Sequence, residues 1–188
     1  MIIKFNEDYD VNDNLEDLLD YIEQKYDSSV TSINSSKLPA IFGMVTLAPG
    51  TVNLDFGGGK YDNVAEYLKS LDVLNVVYDP FNRSKEHNKE VLDVIKQNGG
   101  ADTITCSNVL NVIEEPENRL DVIKKCYRCL KPGGTAYFTV YEGSGSGEGR
   151  ANDKRASYQT NMKTSDYVDD IASVFPNVTR KGKLIIAK

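Results

Sequence analysis

The chain has 188 residues, of which 40% are hydrophobic and 27% are charged, as expected for one soluble globular domain. The longest nearly apolar run, residues 40–48, is about half as long as a membrane-spanning helix, and the acidic start lacks the apolar stretch of a secretory signal. Three cysteines, an odd number, favour a reducing, cytoplasmic setting over a disulfide scaffold.

The net charge of −6 is unevenly distributed along the sequence. Residues 1–26 contain eight acids and two lysines, and the other 162 residues contain 20 acids and 20 bases. The last 39 residues contain eight bases and four acids, a local charge of +4. An anionic partner at the C-terminal end is therefore compatible with the acidic whole-chain pI of 4.9.

The first 50 residues differ in pattern from the rest. Residues 1–5 predict a short strand, and apolar residues at helical spacing over 11–26 predict an amphipathic helix. Residues 27–38 are rich in Ser, Asn and Thr, which is typical of a loop. We therefore expect residues 1–50 to form a helical extension packed on a main body made of residues 51–188.

From residue 51 onward, strand and helix patterns alternate. Strand patterns occupy 52–54, 74–78, 102–106 and 136–141, and helical patterns occupy 63–70, 84–98, 116–130 and 164–175. Residues 178–187 predict an antiparallel hairpin that turns at Lys181 and Gly182. The alternation predicts an α/β fold with a mostly parallel sheet, helices on both of its faces and a C-terminal hairpin.

One strand of such a sheet is difficult to place. Only 22 residues lie between Asp79 and Asp102, and a helix over 84–98 leaves too few of them for a further strand. Either the third edge strand is shortened or missing, or residues 91–96 form that strand in place of the helix.

A glycine loop, Gly57-Gly58-Gly59, lies between the first predicted strand and helix and follows Asp55. In an open α/β sheet, ligands lie against strand ends of this kind. A dinucleotide fingerprint needs glycine at its sixth position, which here is Asp62, and a carboxylate at a helix N-terminus would repel a pyrophosphate. No Gly-Lys-Ser or Gly-Lys-Thr follows, which excludes a P-loop. The loop therefore favours a ligand that is uncharged or cationic near Asp55.

Asp79 ends the second predicted strand, twenty residues after Gly59. An acid at this point can accept hydrogen bonds from both hydroxyls of a ribose. Pro80 and Phe81 follow directly and could lie against an adenine ring.

In these motifs the chain resembles the class I S-adenosylmethionine-dependent methyltransferases, over about residues 50–142. Asp55, Gly57 and Gly59 are similar to the first motif of that family, and Asp79 is similar to the second. Residues 102–110 resemble its fourth strand with the following loop, and residues 130–134 resemble the turn after the next helix.

The resemblance implies a Rossmann-like fold, S-adenosylmethionine as cofactor, and methyl transfer to an acceptor that the sequence does not identify. It implies that Asp55 and the glycines hold the methionine end of the cofactor, that Asp79 holds the ribose, and that Ser107 and Asn108 form the cleft wall. Tyr61 stands where the family often has a third glycine, and its ring could cover the cofactor or pack on the first helix. The group that recognises adenine, usually found after the third strand, has no clear counterpart.

The residues after the last central strand are candidates for acceptor binding. Glu142 could act as a general base or orient the acceptor. The Gly/Ser-rich residues 143–149 and the segment up to 160 could form a mobile lid, or only a solvated flexible loop. We expect the acceptor to be anionic or nucleotide-containing and to face four residues of this segment: Arg150, Lys154, Arg155 and Tyr158.

Other functions are considered beside methyl transfer to a small or nucleotide-containing acceptor. A nucleic-acid methyltransferase is the first alternative, but residues 107–110 lack the prolines of base-amino methyltransferases and no insertion could recognise DNA, so duplex DNA is not favoured. A non-catalytic S-adenosylmethionine-binding protein and an enzyme that uses another part of the cofactor are further alternatives. We expect no metal site, because Cys126 and Cys129 have no second pair and His87 is the only histidine, and no membrane partner.

Overall fold

The computed structural model describes residues 23–26, 29 and 37–188. The predicted strand over 1–5 lies outside the described residues, as does the predicted helix over 11–26 except for residues 23–26, which are irregular. The division into residues 1–50 and 51–188 therefore stays a prediction.

The described elements follow the predicted alternation. The strands are β1 Thr51–Phe56, β2 Val73–Tyr78, β3 Ala101–Ser107, β4 Leu130–Thr139, β5 Gly149–Asn152, β6 Ser157–Thr160, β7 Val178–Lys181 and β8 Leu184–Ala187. The α-helices are α1 Asn63–Lys69, α2 Lys85–Gln97, α3 Pro116–Cys129 and α4 Val168–Ala172. Short 3-10 helices occupy Ala40–Gly43, Leu110–Val112, Asp153–Arg155 and Thr164–Tyr167.

Six of the strands form one sheet in the order β2-β1-β3-β4-β8-β7. β1 to β4 are parallel, and β8 pairs antiparallel with both β4 and β7. β5 and β6 pair separately as an antiparallel hairpin. The predicted fold class, a mostly parallel sheet with a C-terminal antiparallel hairpin, is therefore confirmed.

The segment between β2 and β3 contains a helix and no strand. Ser84 caps α2 by accepting a hydrogen bond from the backbone N–H of His87, and Val91, Leu92 and Ile95 of this helix are buried. The alternative of a strand over 91–96 is wrong, because this apolar face has the period of a helix and packs on the sheet. The third edge strand is thus missing between β2 and β3, and β2 is one of the two edges of the described sheet.

Three predicted elements differ from the structure in extent. β4 begins at Leu130 because this residue pairs with Ala101, ahead of a register shift. The predicted helix over 164–175 is divided into a 3-10 turn and the short α4, and a tighter first turn is common at helix ends. The predicted loop over 149–160 is largely the hairpin formed by β5 and β6.

Helices cover both faces of the sheet. α2, α3 and α4 bury their apolar residues with Phe56 and Tyr78 on one face, and α1 packs with the 3-10 helix Ala40–Gly43 on the other. All three cysteines are free and buried. No helix in the described residues is long and apolar enough to cross a membrane. The carboxyl ends of the parallel strands β1, β2 and β3 meet at one edge, where polar loops converge.

Candidate functional site

A cleft of about 390 Å³ lies at the carboxyl ends of β1, β2 and β3. Its lining comes from the glycine loop, the loops after β2 and β3, one face of α3, residues 37–40, and Gln24. Every residue that sequence reasoning assigned to the cofactor lines this one cleft: Asp55, Gly57, Gly58, Gly59, Tyr61, Asp79, Pro80, Phe81, Ser107 and Asn108.

The glycine loop forms a cradle that side chains would fill. Gly57 and Gly59 have φ values of 74° and 79°, in the region that glycine adopts without steric cost. A Cβ at Gly57 would collide with a methyl group of Val109, and one at Gly58 would lie 2.5 Å from a carboxylate oxygen of Asp55. The absence of side chains therefore keeps both the backbone turn and the space above it available to a ligand.

Asp55 is a buried carboxyl group below this cradle. Its side chain is 3% exposed, and its Oδ1 accepts a hydrogen bond of 2.9 Å from the hydroxyl of Thr105. Burial raises the pKa of Asp55 to about 7, against the lowering effect of the Thr105 hydrogen bond. A cation placed in the cradle would favour the charged form of this group.

Asp79 is surrounded by N–H donors. Oδ2 accepts from the backbone N–H of Gly59 at 2.8 Å, and Oδ1 accepts from the backbone N–H groups of Phe81 and Asn82 at 3.0 and 2.9 Å. The side-chain nitrogen of Asn82 lies 3.2 Å from Oδ1 and 3.1 Å from Oδ2, between the two oxygens. The main chain of Asp79 is fixed by two hydrogen bonds to the side chain of Asn88 in α2.

The loop after β3 forms the opposite wall. Asn108 has a φ of 58°, an uncommon value for a residue other than glycine, and its N–H donates to the carbonyl of Thr139 at 2.8 Å. The hydroxyls of Ser107 and Thr139 lie 3.0 Å apart. These bonds to β4 hold the two predicted wall residues at the end of the strand.

One face of α3 lines the cleft, and sequence reasoning did not assign it. Asn118, Asp121, Val122 and Lys125 follow the i, i+3, i+4, i+7 spacing of one helix face. The side chain of Lys125 is only 7% exposed, and its Nζ lies 2.8 Å from Oδ2 of Asp121. The sequence signal for this face was the presence of Asp121 and Lys125 at helical spacing with apolar residues. Charged residues on the buried side of a helix are rare unless they are paired, so they indicate a candidate site.

Glu142 is not brought to the cleft lining. Its Oε1 accepts from the N–H and the hydroxyl of Thr164 at 2.9 and 2.8 Å, and its Oε2 pairs with Lys183 at 3.0 Å. The backbone and side-chain hydrogen bonds from Thr164, with the contact to Lys183, lower the pKa of Glu142 to about 2. A carboxylate of such low basicity does not suit a general base near neutral pH, and the contacts assign Glu142 to anchoring the segment before the hairpin.

The basic residues predicted to face the acceptor lie on the hairpin, outside the cleft lining. Arg150 belongs to β5, and Lys154 and Arg155 belong to the 3-10 turn between the strands; all three are exposed. The ring of Tyr158 stacks on that of Tyr26 at a centroid distance of 6.0 Å.

The stacked tyrosines connect the hairpin to residues 23–26. Tyr26 is 7% exposed and donates from its hydroxyl to Asp153 at 3.0 Å. The carbonyl of Glu23 accepts from Asn118 in α3, and Gln24 lines the cleft. This segment therefore lies between the cleft and the hairpin.

A protein-family model described as "Methyltransferase domain" matches residues 10–172 of the chain. The match extends over most of the sequence, and the chain belongs to this family. The predicted superfamily, the fold class and the cofactor, S-adenosylmethionine, are thereby confirmed. The residues fit this cofactor, since the cleft combines a side-chain-free cradle above Asp55 with a carboxylate at the end of β2.

Solved structures of methyltransferases are similar to this chain in fold. The 1,6-didemethyltoxoflavin-N1-methyltransferase of Burkholderia thailandensis has 14% identity and a TM-score of 0.53, over 85% of this chain and 78% of its own. A proposed methyltransferase of Haloferax volcanii, solved with the activator Trm112, has 14% identity and a TM-score of 0.50, over 73% and 66%.

Phosphoethanolamine N-methyltransferase 2 of Haemonchus contortus has 16% identity and a TM-score of 0.44, over 74% of this chain and 36% of its own. The chain thus covers less than two thirds of the last two proteins. No curated protein shows significant sequence similarity to the chain.

Proposed function

We propose that the protein is an enzyme that transfers the methyl group of S-adenosylmethionine to an acceptor held beside the glycine loop. One observation carries the proposal: a glycine cradle and two buried carboxyl groups, Asp55 and Asp79, line a single cleft at the ends of β1 and β2. Membership of the methyltransferase-domain family supports the same conclusion.

Asp79 would hold the ribose of the cofactor. Three backbone N–H groups already bond its carboxylate, and the side chain of Asn82 contacts both oxygens. A carboxylate offers about four lone-pair sites, and the three backbone N–H groups leave about one of them once Asn82 turns away. One ribose hydroxyl can therefore bind without breaking a backbone hydrogen bond, and the second would share an acceptor oxygen with a backbone N–H. The position of the Asn82 nitrogen, between the two oxygens, is the one that a diol would take.

The purine base would lie on the side of the sheet that α2 and α3 cover. Tyr78 faces this side and packs in the same core as α3, and Phe81 continues the lining next to Asp79. The cleft then reaches the α3 face, where the Asp121 carboxylate offers hydrogen-bond acceptors and its ion pair with Lys125 orients it. This face would serve the base in place of the residues that follow the missing third strand.

The methionine end would lie over Gly57, Gly58 and Asp55. The cofactor supplies an electrophilic methyl group on its sulfonium, so the chemistry itself needs little from the protein. The buried cradle and the wall at Ser107 and Asn108 would orient the acceptor and exclude water from it. These contributions are consistent with the lack of a general base at Glu142.

The acceptor would enter beside residues 37–40, Tyr61 and Asn63, which line the cleft. An anionic or nucleotide-containing acceptor larger than the cleft would extend past Gln24 and Tyr26 to the exposed bases of the hairpin. The tyrosine stack supports this path, because it connects the cleft lining with the hairpin.

The test is an incubation of the protein and S-adenosylmethionine with a metabolite extract and, separately, with RNA and duplex DNA. Mass spectrometry should find S-adenosylhomocysteine together with one product heavier by a methyl group, and the Asp79→Ala variant should give much less of both. Methylthioadenosine would instead indicate chemistry at another part of the cofactor. Unchanged cofactor with every acceptor, despite binding, would support a non-catalytic role and contradict the proposal.

A further inference from the structure

The loop after β2 is tied to the glycine loop through one arginine. Nε of Arg83 donates to the carbonyl of Gly59 at 2.8 Å, and a terminal nitrogen donates to the carbonyl of Tyr61 at 3.0 Å and to Oδ1 of Asp62 at 2.7 Å. The Arg83 side chain is 13% exposed, whereas that of Asp62 is 68% exposed. A guanidinium group suits this position because its donors have a fixed, planar arrangement.

The residue Gly59 is therefore held from two directions. Its N–H donates to Asp79 and its carbonyl accepts from Arg83, both at 2.8 Å. The N–H of Arg83 in turn donates to the carbonyl of Asp79 at 3.1 Å, which closes the turn that carries both residues. The conformation of the glycine loop thus depends on two side chains of the next loop, only four positions apart.

We propose that Arg83 is a positioning residue that holds the glycine loop in the conformation that receives the methionine end of the cofactor. The inference rests on the proposed function, because the loop matters for binding only if the cleft takes this cofactor. Arg83 is not part of the cleft lining and donates to the carbonyls of Gly59 and Tyr61, so it would affect the ligand through the backbone of the loop.

Asp62 acquires a different role from the one that the sequence suggested. Its carboxylate does not face the cleft as an isolated charge but pairs with Arg83 at the start of α1. The ion pair neutralises the negative charge of Asp62 beside the loop. It also fixes the terminal nitrogen of the guanidinium, while Nε bonds Gly59. Asp62 thus supports the loop through Arg83.

The test compares Arg83→Met with the wild-type protein by calorimetry against two ligands. S-adenosylhomocysteine contains the methionine-derived part, and 5′-methylthioadenosine lacks most of it. We expect Arg83→Met to lower the affinity for S-adenosylhomocysteine at least tenfold and the affinity for methylthioadenosine less than threefold. Arg83→Lys should restore little, because a lysine cannot bond both carbonyls and Asp62 with fixed geometry.

Arg180→Met is the matched control, since Arg180 also donates to a backbone carbonyl, that of Gly182 at 2.7 Å, but in the hairpin of β7 and β8. It should leave both affinities unchanged. If Arg83→Met does not fold, the exposed substitution Asp62→Asn replaces it, with an expected loss of about threefold for S-adenosylhomocysteine alone.

If Arg83→Met lowers the affinity for both ligands equally, or if neither Arg83→Met nor Asp62→Asn lowers any affinity, the role of Arg83 is overturned. The proposed function stays intact in both cases. A wild-type protein that binds neither ligand overturns the proposed function, and the positioning role with it.

Discussion

The carboxylate of Asp79 accepts hydrogen bonds from protein donors on both oxygens, and this arrangement decides what its removal should do. Asp79→Ala should make the binding of S-adenosylhomocysteine less favourable by about 1.5–3 kcal/mol, the scale of hydrogen bonds to a charged group. Calorimetry measures the affinity, and thermal unfolding checks the fold. An unchanged affinity with a lower melting temperature would show that Asp79 serves the structure alone.

The neighbouring Asn82 should give a change of opposite sign. Its side-chain nitrogen occupies the space between the two Asp79 oxygens, and the ribose must displace it. Asn82→Ala removes this competitor while keeping the backbone N–H that bonds Asp79. Affinity for S-adenosylhomocysteine should therefore rise by about tenfold, the low end of the value of a hydrogen bond to a charged group, because the two contacts are long, at 3.1 and 3.2 Å. Weaker binding, measured by the same calorimetry, would mean that Asn82 contacts the cofactor directly.

At the scale of elements, the hairpin formed by β5 and β6 allows a test of whether its exposed bases bind the acceptor. Replacing its three exposed bases, Arg150, Lys154 and Arg155, together by Ser should raise the KM for an anionic acceptor. Affinity for S-adenosylhomocysteine should stay within about twofold, because the three side chains lie outside the cleft lining and an exposed charge has little effect on a distant ligand. An unchanged KM for the acceptor would show that these bases are solvated surface residues that do not bind it.

The same elements show which features could be predicted from local sequence. α2 was predictable because Val91, Leu92 and Ile95 repeat at helical spacing after the capping Ser84. The hairpin was not, because Arg150 to Tyr158 carries no alternation of apolar and polar residues that would distinguish a strand from a loop. Its order depends on packing, such as the Tyr158 stack on Tyr26, 132 positions earlier in the chain.

At the scale of the whole molecule, the fold and the cofactor end of the site were predictable, and the contacts that complete the cleft were not. Strand-end motifs such as Asp55 and Asp79 are local patterns, and the parallel sheet brings them to one edge. The grip of Arg83 on Gly59 and the position of the α3 face depend on how separate loops and helices pack. Side-chain contacts of this kind carry no periodic signal in the sequence.

The stability of the whole molecule should depend on pH in an unusual direction because of Asp55. Its pKa is about 7 in the folded protein, raised by burial from the usual 3.8, so between about pH 4 and pH 7 the folded state holds a proton that the unfolded chain has lost. The free energy of unfolding should therefore fall as the pH rises through this window, by about 2–4 kcal/mol, at about 1.4 kcal/mol per pKa unit.

Glu142 opposes this trend at lower pH. Its pKa is lowered to about 2 by the Thr164 hydrogen bonds and by Lys183, so its stabilising contribution is present above its usual pKa of 4.5 and is lost as the pH falls towards 2. Both contributions are largely present near pH 5, which lies above the usual pKa of Glu142 and below the raised pKa of Asp55.

Urea unfolding of dilute protein at pH 5 and at pH 8 tests this expectation, with Asp55→Asn as the control. The amide has the shape of the carboxyl group and can still accept the Thr105 hydrogen bond, but it does not titrate, so the decrease between the two values should largely disappear in the variant. S-adenosylmethionine, whose sulfonium is cationic, should raise the midpoint more at pH 8, where Asp55 is charged, than at pH 5. A wild-type protein that is equally stable at both values would contradict the buried, protonated state of Asp55.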